Sequence, residues 1–321
     1  MAARRPALDE ATLIGRYFAR RSPANRGVIL GIGDDAAVTR LPRGHELVTA
    51  TDAIFEGVHY PHGTPPRAIG HRCLAVNLSD LAAMGATPLW ASLALSLPRA
   101  TDAWLREFSA GFFALARTWN VALIGGDTVR GPAGATVTVQ GHVRRGRYLT
   151  RDAARPGDGI WVTGRPGDAV AGRLQLGVRG ASLLLRQRFL YPVPRLREGR
   201  ALVGIASAMM DVSDGLHDDL GKLMSASGCG ADLDAGRLPL SRRLVSAVGR
   251  EAARHLALCG GDDYELLFTV PVRREAQLAR TISGWALPVT RIGTVRRAAG
   301  LRWSMDDKPF RFRDRTFRHF A

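Results

Sequence analysis

Lysine is almost missing from this chain. Of the 45 basic residues in 321, only Lys222 and Lys308 are lysines, and the rest are arginine. That scarcity excludes one kind of nucleotide site. Gly221-Lys222-Leu223 lacks the Ser/Thr and the upstream glycine of a phosphate loop. It also changes how the formal net charge of +16 is read. The arginines are spread along the whole chain, with no long basic block and no aromatic interleaving, so the charge reads as a compositional bias and predicts no nucleic-acid partner. Cysteine is scarce too. Three thiols, Cys73, Cys229 and Cys259, are odd in number and lack metal spacing, which predicts a reduced, cytoplasmic protein. Long apolar runs are absent. The richest stretch, Pro88–Leu97, falls far short of the roughly 20 residues a helix needs to cross a bilayer, so no membrane partner is predicted. The N-terminus turns acidic at Asp9-Glu10, where a signal peptide would turn apolar.

What the chain has instead is aspartate placed behind glycine. Gly31-Ile-Gly-Asp-Asp-Ala-Ala-Val38 follows the short apolar run Val28–Leu30. Alone, Gly-Asp-Asp reads better as an ordinary turn than as a ligand site. The idea then repeats. Leu47–Thr51 is a predicted strand ending at Thr51-Asp52, with His59 close behind. Val121–Ile124 is another, ending at Gly125-Gly-Asp127. Met209-Met-Asp211-Val-Ser213-Asp214-Gly-Leu216 reads as a strand end entering a helix, with Asp218 and Asp219 one turn further on. Gly260-Gly-Asp262-Asp263 precedes the predicted strand Leu266–Val270.

Between these sites the periodicity predicts helices over residues 8–20, from Pro65-Pro66 to Gly85, and around Trp104–Trp119, with strands over Trp90–Leu97, Val137–Val143 and Ile160–Thr163. Asn77 and Asp80, three apart, share one face of the second helix. A solvated polar stripe and a metal-facing pair are both open readings there, and His59 taken alone is an ordinary surface histidine. Glycine, proline and arginine between Arg144 and Asp158 predict a domain boundary, dividing the chain into 1–147 and 148–321.

Strand ends on one edge of a sheet are where open α/β folds gather ligands. Carboxylates gathered in such a place repel one another, by roughly 4 kcal/mol for a pair about 4 Å apart at an intermediate dielectric. Mg2+ relieves that repulsion, since it binds through a few carboxylates and substrate phosphates. The pattern therefore predicts metal-assisted phosphoryl transfer from a nucleotide.

Six motifs in order, Gly31-Ile-Gly-Asp-Asp35, Thr51-Asp52, Asn77-Leu-Ser-Asp-Leu-Ala-Ala-Met-Gly-Ala86, Leu123-Ile-Gly-Gly-Asp-Thr128, Asp211-Val-Ser-Asp-Gly-Leu216 and Gly260-Gly-Asp-Asp-Tyr-Glu-Leu266, closely resemble the thiamine-monophosphate kinase family. The resemblance spans nearly the whole chain. Its wider superfamily includes aminoimidazole ribonucleotide synthetase, selenophosphate synthetase and the hydrogenase maturation dehydratase. It implies a two-domain α/β (α+β) fold, a homodimer formed through N-terminal strands, and ATP in a cleft with several Mg2+ ions. Carried over by position, Asp35, Thr51, Asp52, Asp80, Asp127, Asp211 and Asp214 match metal ligands. Gly126, Asp127, Arg151 and Ser213 match nucleotide contacts, and His59, Asp262 and Phe317 match contacts to thiamine monophosphate.

Three positions depart from the family pattern. Ala50 replaces a hydroxyl residue, Asp262 stands where glutamate is expected, and Phe317 stands where a hydroxylated or larger aromatic can occur. The implied reaction is ATP-dependent phosphorylation of thiamine monophosphate to the diphosphate, by direct in-line transfer. No general base is evident, and a phosphate monoester with its second pKa near 6 needs none. Selenophosphate formation would want a reactive cysteine and a lysine near the N-terminus, yet the first of each here are Cys73 and Lys222. A nucleic-acid binder driven by charge alone would have no use for the aspartates.

Overall fold

A computed structural model describes residues 10–25 and 27–313 of the chain. Among them, one compact unit runs to Leu81 and resumes over Thr87–Arg145, while the other takes Ala82–Ala86 and everything from Gly146 on.

The first unit holds, in order, α1 (Glu10–Tyr17), β1 (Val28–Leu30), β2 (Val38–Thr39), β3 (His45–Phe55), α2 (Pro66–Ala83), β4 (Thr87–Leu97), α3 (Asp102–Trp119), β5 (Ala122–Arg130) and β6 (Gly134–Arg144). Four of its strands form a sheet in the order β3-β6-β4-β5, antiparallel except where β4 runs parallel to β5. The 18 residues of α3 form a helix because Leu105, Phe108, Phe112 and Leu115 recur at helical spacing and are buried. The Thr101 hydroxyl accepts from the Trp104 N–H at its start, and Asn120 closes it in the left-handed conformation. By contrast, α2 is buried nearly all round: Leu74, Leu78 and Leu81 are fully buried, and so are the polar Asn77 and Ser79. Each such large apolar side chain contributes about 1.5–3 kcal/mol of burial.

The second unit holds β7 (Gly159–Thr163), α4 (Asp168–Leu174), α5 (Leu183–Leu190), α6 (Leu196–Leu202), β8 (Ala208–Val212), α7 (Leu216–Ala226), β9 (Gly230–Asp234), α8 (Arg242–Val248), α9 (Arg250–Cys259), β10 (Glu265–Val270), α10 (Glu275–Ile282), β11 (Val289–Arg296), β12 (Gly300–Met305) and β13 (Lys308–Pro309). Its seven strands pair in the order β13-β12-β9-β11-β7-β10-β8, with only β12 and β9 parallel. Leu216, Leu220 and Leu223 of α7 pack into one core with Ile160, Val162, Met210, Val212 and Leu267 of the sheet. All three thiols are free and buried.

Two sequence expectations are corrected here. Thr51-Asp52 and Gly125-Gly-Asp127 do not end strands: β3 continues to Phe55 and β5 to Arg130. Both aspartates stand within strands as exposed residues, and the sheets that carry them and their counterparts are mainly antiparallel. The first helix begins, among the described residues, at Glu10 and stops at Tyr17, short of residue 20. Among the described residues no helix is long and apolar enough to cross a membrane.

Candidate active site

A cavity of about 430 Å3 opens in the first unit. Its walls are the turn between β1 and β2 (Ile32–Ala37), the β5 segment Leu123–Thr128, Leu93 of β4 and one side of α1. Three carboxylates, Asp34, Asp35 and Asp127, line it, and all three residues are exposed. Asp34 Oδ1 accepts from the Asp35 N–H at 2.9 Å and Asp127 Oδ1 from the Thr128 N–H at 2.7 Å, which orients each side chain from its own backbone. Among the described residues none of the three has a cationic partner, although the chain carries a formal charge of +16.

Gly126 explains how β5 reaches this wall. Its φ is +148°, and a Cβ there would stand 1.8 Å from the Leu93 carbonyl oxygen. Only glycine lets β5 lie against β4 at that point, and the preceding register shift at Ala91/Ser92 marks the same irregularity.

On β3, consecutive side chains face opposite ways, so Thr51 and Asp52 diverge. The Thr51 hydroxyl meets that of Thr138 at 2.9 Å across the strand pair. Asp52 donates its N–H to Asn77 Oδ1 at 2.8 Å, and Asn77 Nδ2 donates to the Cys73 carbonyl at 2.9 Å. The buried amide of α2 thereby fixes the Asp52 backbone, with Asp80 half-buried one turn further along the helix. His59 folds back on β3. Its Nδ1 accepts from the Phe55 N–H at 3.0 Å, which leaves Nε2 to carry the proton.

The second unit gathers another group of the predicted residues. Asp211 is buried near the end of β8, and Ser213 and Asp214 form the corner into α7. Fully buried Asp219 holds that corner: its Oδ2 accepts the N–H groups of Ser213, Asp214 and Gly215 at 2.9, 3.0 and 3.2 Å. Lys222 bridges Asp219, at 2.7 Å, to Asp214. Burial pushes the Asp219 carboxyl up, against the opposing pull of Lys222.

The Gly260–Tyr264 segment lies on the same corner. The N–H groups of Asp262 and Tyr264 donate to the Ser213 and Val212 carbonyls, both at 2.8 Å. Gly261 is required there, since a Cβ would stand 2.3 Å from the Ser213 oxygen. Asp262 and Tyr264 both take left-handed backbone, at φ 72° and 51°, an uncommon conformation for residues other than glycine. Asp262 has Arg173 at 3.9 Å. Asp263 turns the other way and accepts from the Gly167 and Ala169 N–H groups at 2.8 and 3.3 Å. Arg151 is exposed ahead of β7, and Phe317 lies outside the described residues.

The structure thus collects Asp35, Gly126 and Asp127 at one cavity, Thr51, Asp52 and Asp80 on β3 and α2, and Asp211, Ser213, Asp214 and Asp262 at one corner. Asp219, Lys222 and Asp263 were noted in the sequence but given no role in the site. The one signal for Asp219 was an acid placed to reach back to a helix start, as in a capping box.

As to metal, no group of three or more His, Cys, Asp or Glu among the described residues is placed to hold an ion without outside ligands. The donors are nevertheless hard oxygens, and those of the cavity have no cationic partner. That fits Mg2+, which completes its shell with water and substrate phosphates rather than with an all-protein cage.

Residues 33–143 match the family model of AIR synthase related protein, N-terminal domain, and residues 155–304 match that of its C-terminal domain. Thiamine-monophosphate kinase of Salmonella typhimurium is 44% identical over 98% of this chain and 99% of its own length. The chain belongs to the thiamine-monophosphate kinase family. A crystal structure of thiamine-monophosphate kinase from Stenotrophomonas maltophilia K279a is 46% identical, covers 88% of this chain and 92% of its own, and superposes with a TM-score of 0.82. AaThiL complexed with AMPPCP and TMP, 32% identical, covers 87% of this chain and 90% of its own at a TM-score of 0.74. The mixed helix and sheet content of both units agrees with that kinship.

Proposed function

We propose that this chain phosphorylates thiamine monophosphate at the expense of ATP, giving thiamine diphosphate and ADP. Full-length kinship to thiamine-monophosphate kinases carries the reading, and the solved relative complexed with AMPPCP and TMP supports it. Asp35, Thr51, Asp52, Asp80, Asp127, Asp211 and Asp214 are assigned as the residues that hold Mg2+. Bound there, the ions supply charge neutralisation between two polyanionic substrates. Gly126, Asp127, Arg151 and Ser213 are assigned to ATP, and His59, Asp262 and Phe317 to the acceptor. The assignments draw on both 1–147 and 148–321.

The protein's own part is orientation. Asp127 is held by its backbone, Asp52 by Asn77, and the Ser213–Asp214 corner by Asp219. The Phe55 N–H holds the His59 ring back against β3. The acceptor phosphate is largely dianionic at neutral pH, so it attacks in line without a protein base and without a phosphoenzyme. The reading also places the enzyme in the cytoplasm as a homodimer. The long edge strand β3 supports the latter, because it leaves Leu47 49% and Phe55 36% exposed and offers an unpaired edge.

The test is ADP release with excess Mg2+ and, in turn, thiamine, thiamine monophosphate and an aminoimidazole precursor. Only the monophosphate should be turned over, with thiamine diphosphate as product. Asp127→Asn, which can still accept from Thr128, should fold normally and lose about 10²–10³-fold in kcat. Turnover of another acceptor, or an Asp127→Asn variant at wild-type rate with limiting Mg2+, would refute the assignment.

A further inference from the structure

A second cavity, of about 420 Å3, lies in the second unit and shares no residue with the carboxylate-lined one. Three arginines from three places in the chain border it: Arg165 from the turn after β7, Arg188 from α5 and Arg243 from the first turn of α8. All three are exposed, and among the described residues none makes an ion pair or a side-chain hydrogen bond. That sets them apart from Arg195 nearby. Its guanidinium is buried and bound to both oxygens of Glu265, with Nε at 2.7 Å from Oε2.

One carboxylate, Asp168, borders the same cavity. It is buried and already accepts from the Ser241 hydroxyl at 2.6 Å. Arg188 and Arg165 pull its carboxyl down, but burial wins and pushes it up. Three guanidiniums against one carboxylate leave an excess of two positive charges, the complement of a phosphate monoester at about −1.5 to −2. Beside the charges stand Leu184, Val193 and Tyr191. Leu184 and Val193 are each 47% exposed, an apolar lip that a phosphate alone would not use. The volume lies in the range of small-molecule sites.

We propose that this cavity is a second anion site, taking a small organic phosphate whose phosphate sits among Arg165, Arg188 and Arg243 and whose flat or apolar end rests on Tyr191, Leu184 and Val193. The site has a physical link to the Gly260–Tyr264 segment. A narrower recess shares Arg165, Asp168, Arg188 and Val193 with it and reaches Asp263, and Asp263 holds the Gly167 and Ala169 backbone beside Arg165.

Calorimetric titration of the full chain in EDTA tests this without metal or nucleotide, so its outcome is independent of the catalytic reading. Phenyl phosphate should bind one per chain, several-fold more tightly than inorganic phosphate. The double variant R188A/R243A should lose at least tenfold in affinity for phenyl phosphate while keeping turnover. R273A/R274A, which removes two arginines elsewhere, should bind as wild type does. Absence of binding, several weak equivalent sites, or an equal loss in R273A/R274A would overturn the proposal in favour of counterions spread over a basic surface.

Discussion

Two carboxylates, fully buried Asp219 and half-buried Asp263, do backbone work in this protein: each accepts N–H groups of a turn carrying assigned site residues or leaning on one. Burial raises the Asp263 carboxyl well above its ordinary value of 3.8, with Glu265 and Asp168 adding to the rise against the N–H groups of Gly167 and Ala169. The sign of the linkage follows. A raised folded pKa means the native chain keeps a proton that the unfolded chain has released. The stability due to that proton is fully present below about pH 3.9 and is lost as pH climbs to the folded pKa. Asp263→Asn cannot titrate and keeps an acceptor oxygen. Urea midpoints from pH 4 upward should therefore show the wild type losing ground to the variant across that window, then running parallel to it. Parallel curves throughout would mean Asp263 titrates normally. The sequence showed that an aspartate stands here, but not which way its side chain turns, because that depends on a turn 96 residues distant.

At the scale of single elements, β5 makes the sharpest demand. A methyl on Gly126 would collide with the backbone of β4, whereas one on Gly125 meets nothing within 4 Å. Gly126→Ala should cost at least about 3 kcal/mol, a fall in Tm on the order of 10 °C, while Gly125→Ala should stay within about 1 kcal/mol of wild type. Differential scanning calorimetry of the pair decides it, and equal shifts would refute the close approach.

The same strand shows where sequence reading stopped. Helices α2 and α3 were legible because their apolar spacing and end signals agree, and so were β8 and β10. The continuation of β3 and β5 was not. Gly-Gly-Asp and Thr-Asp interrupt the apolar alternation, and from sequence an interrupted strand looks like a finished one. The sequence marked the aspartates as one group, and the structure distributes them over the β1–β2 turn, β3, α2, β5 and the corner into α7. Their placement at strand ends was wrong for Asp52 and Asp127, because pairing to β6 and β4 carries the ladder past the polar residues.

For the molecule as a whole, the homodimer proposed through β3 would make Leu47 a sensitive position. Leu47→Arg should be harmless to a monomer, since the side chain is half-exposed, but should shift sedimentation from dimer to monomer. Unchanged sedimentation of a dimeric wild type would move the interface elsewhere. The three cysteines, meanwhile, are hidden at 1%, 9% and 7% exposure for Cys73, Cys229 and Cys259. One belongs to the first unit and two to the second, so the chain carries its own reporters of local opening. Alkylation in rising urea, read by intact mass, should begin from a native chain that takes up no label. If the units open separately, species with one or two adducts will accumulate before the third appears. If they open together, mass will pass directly from none to three.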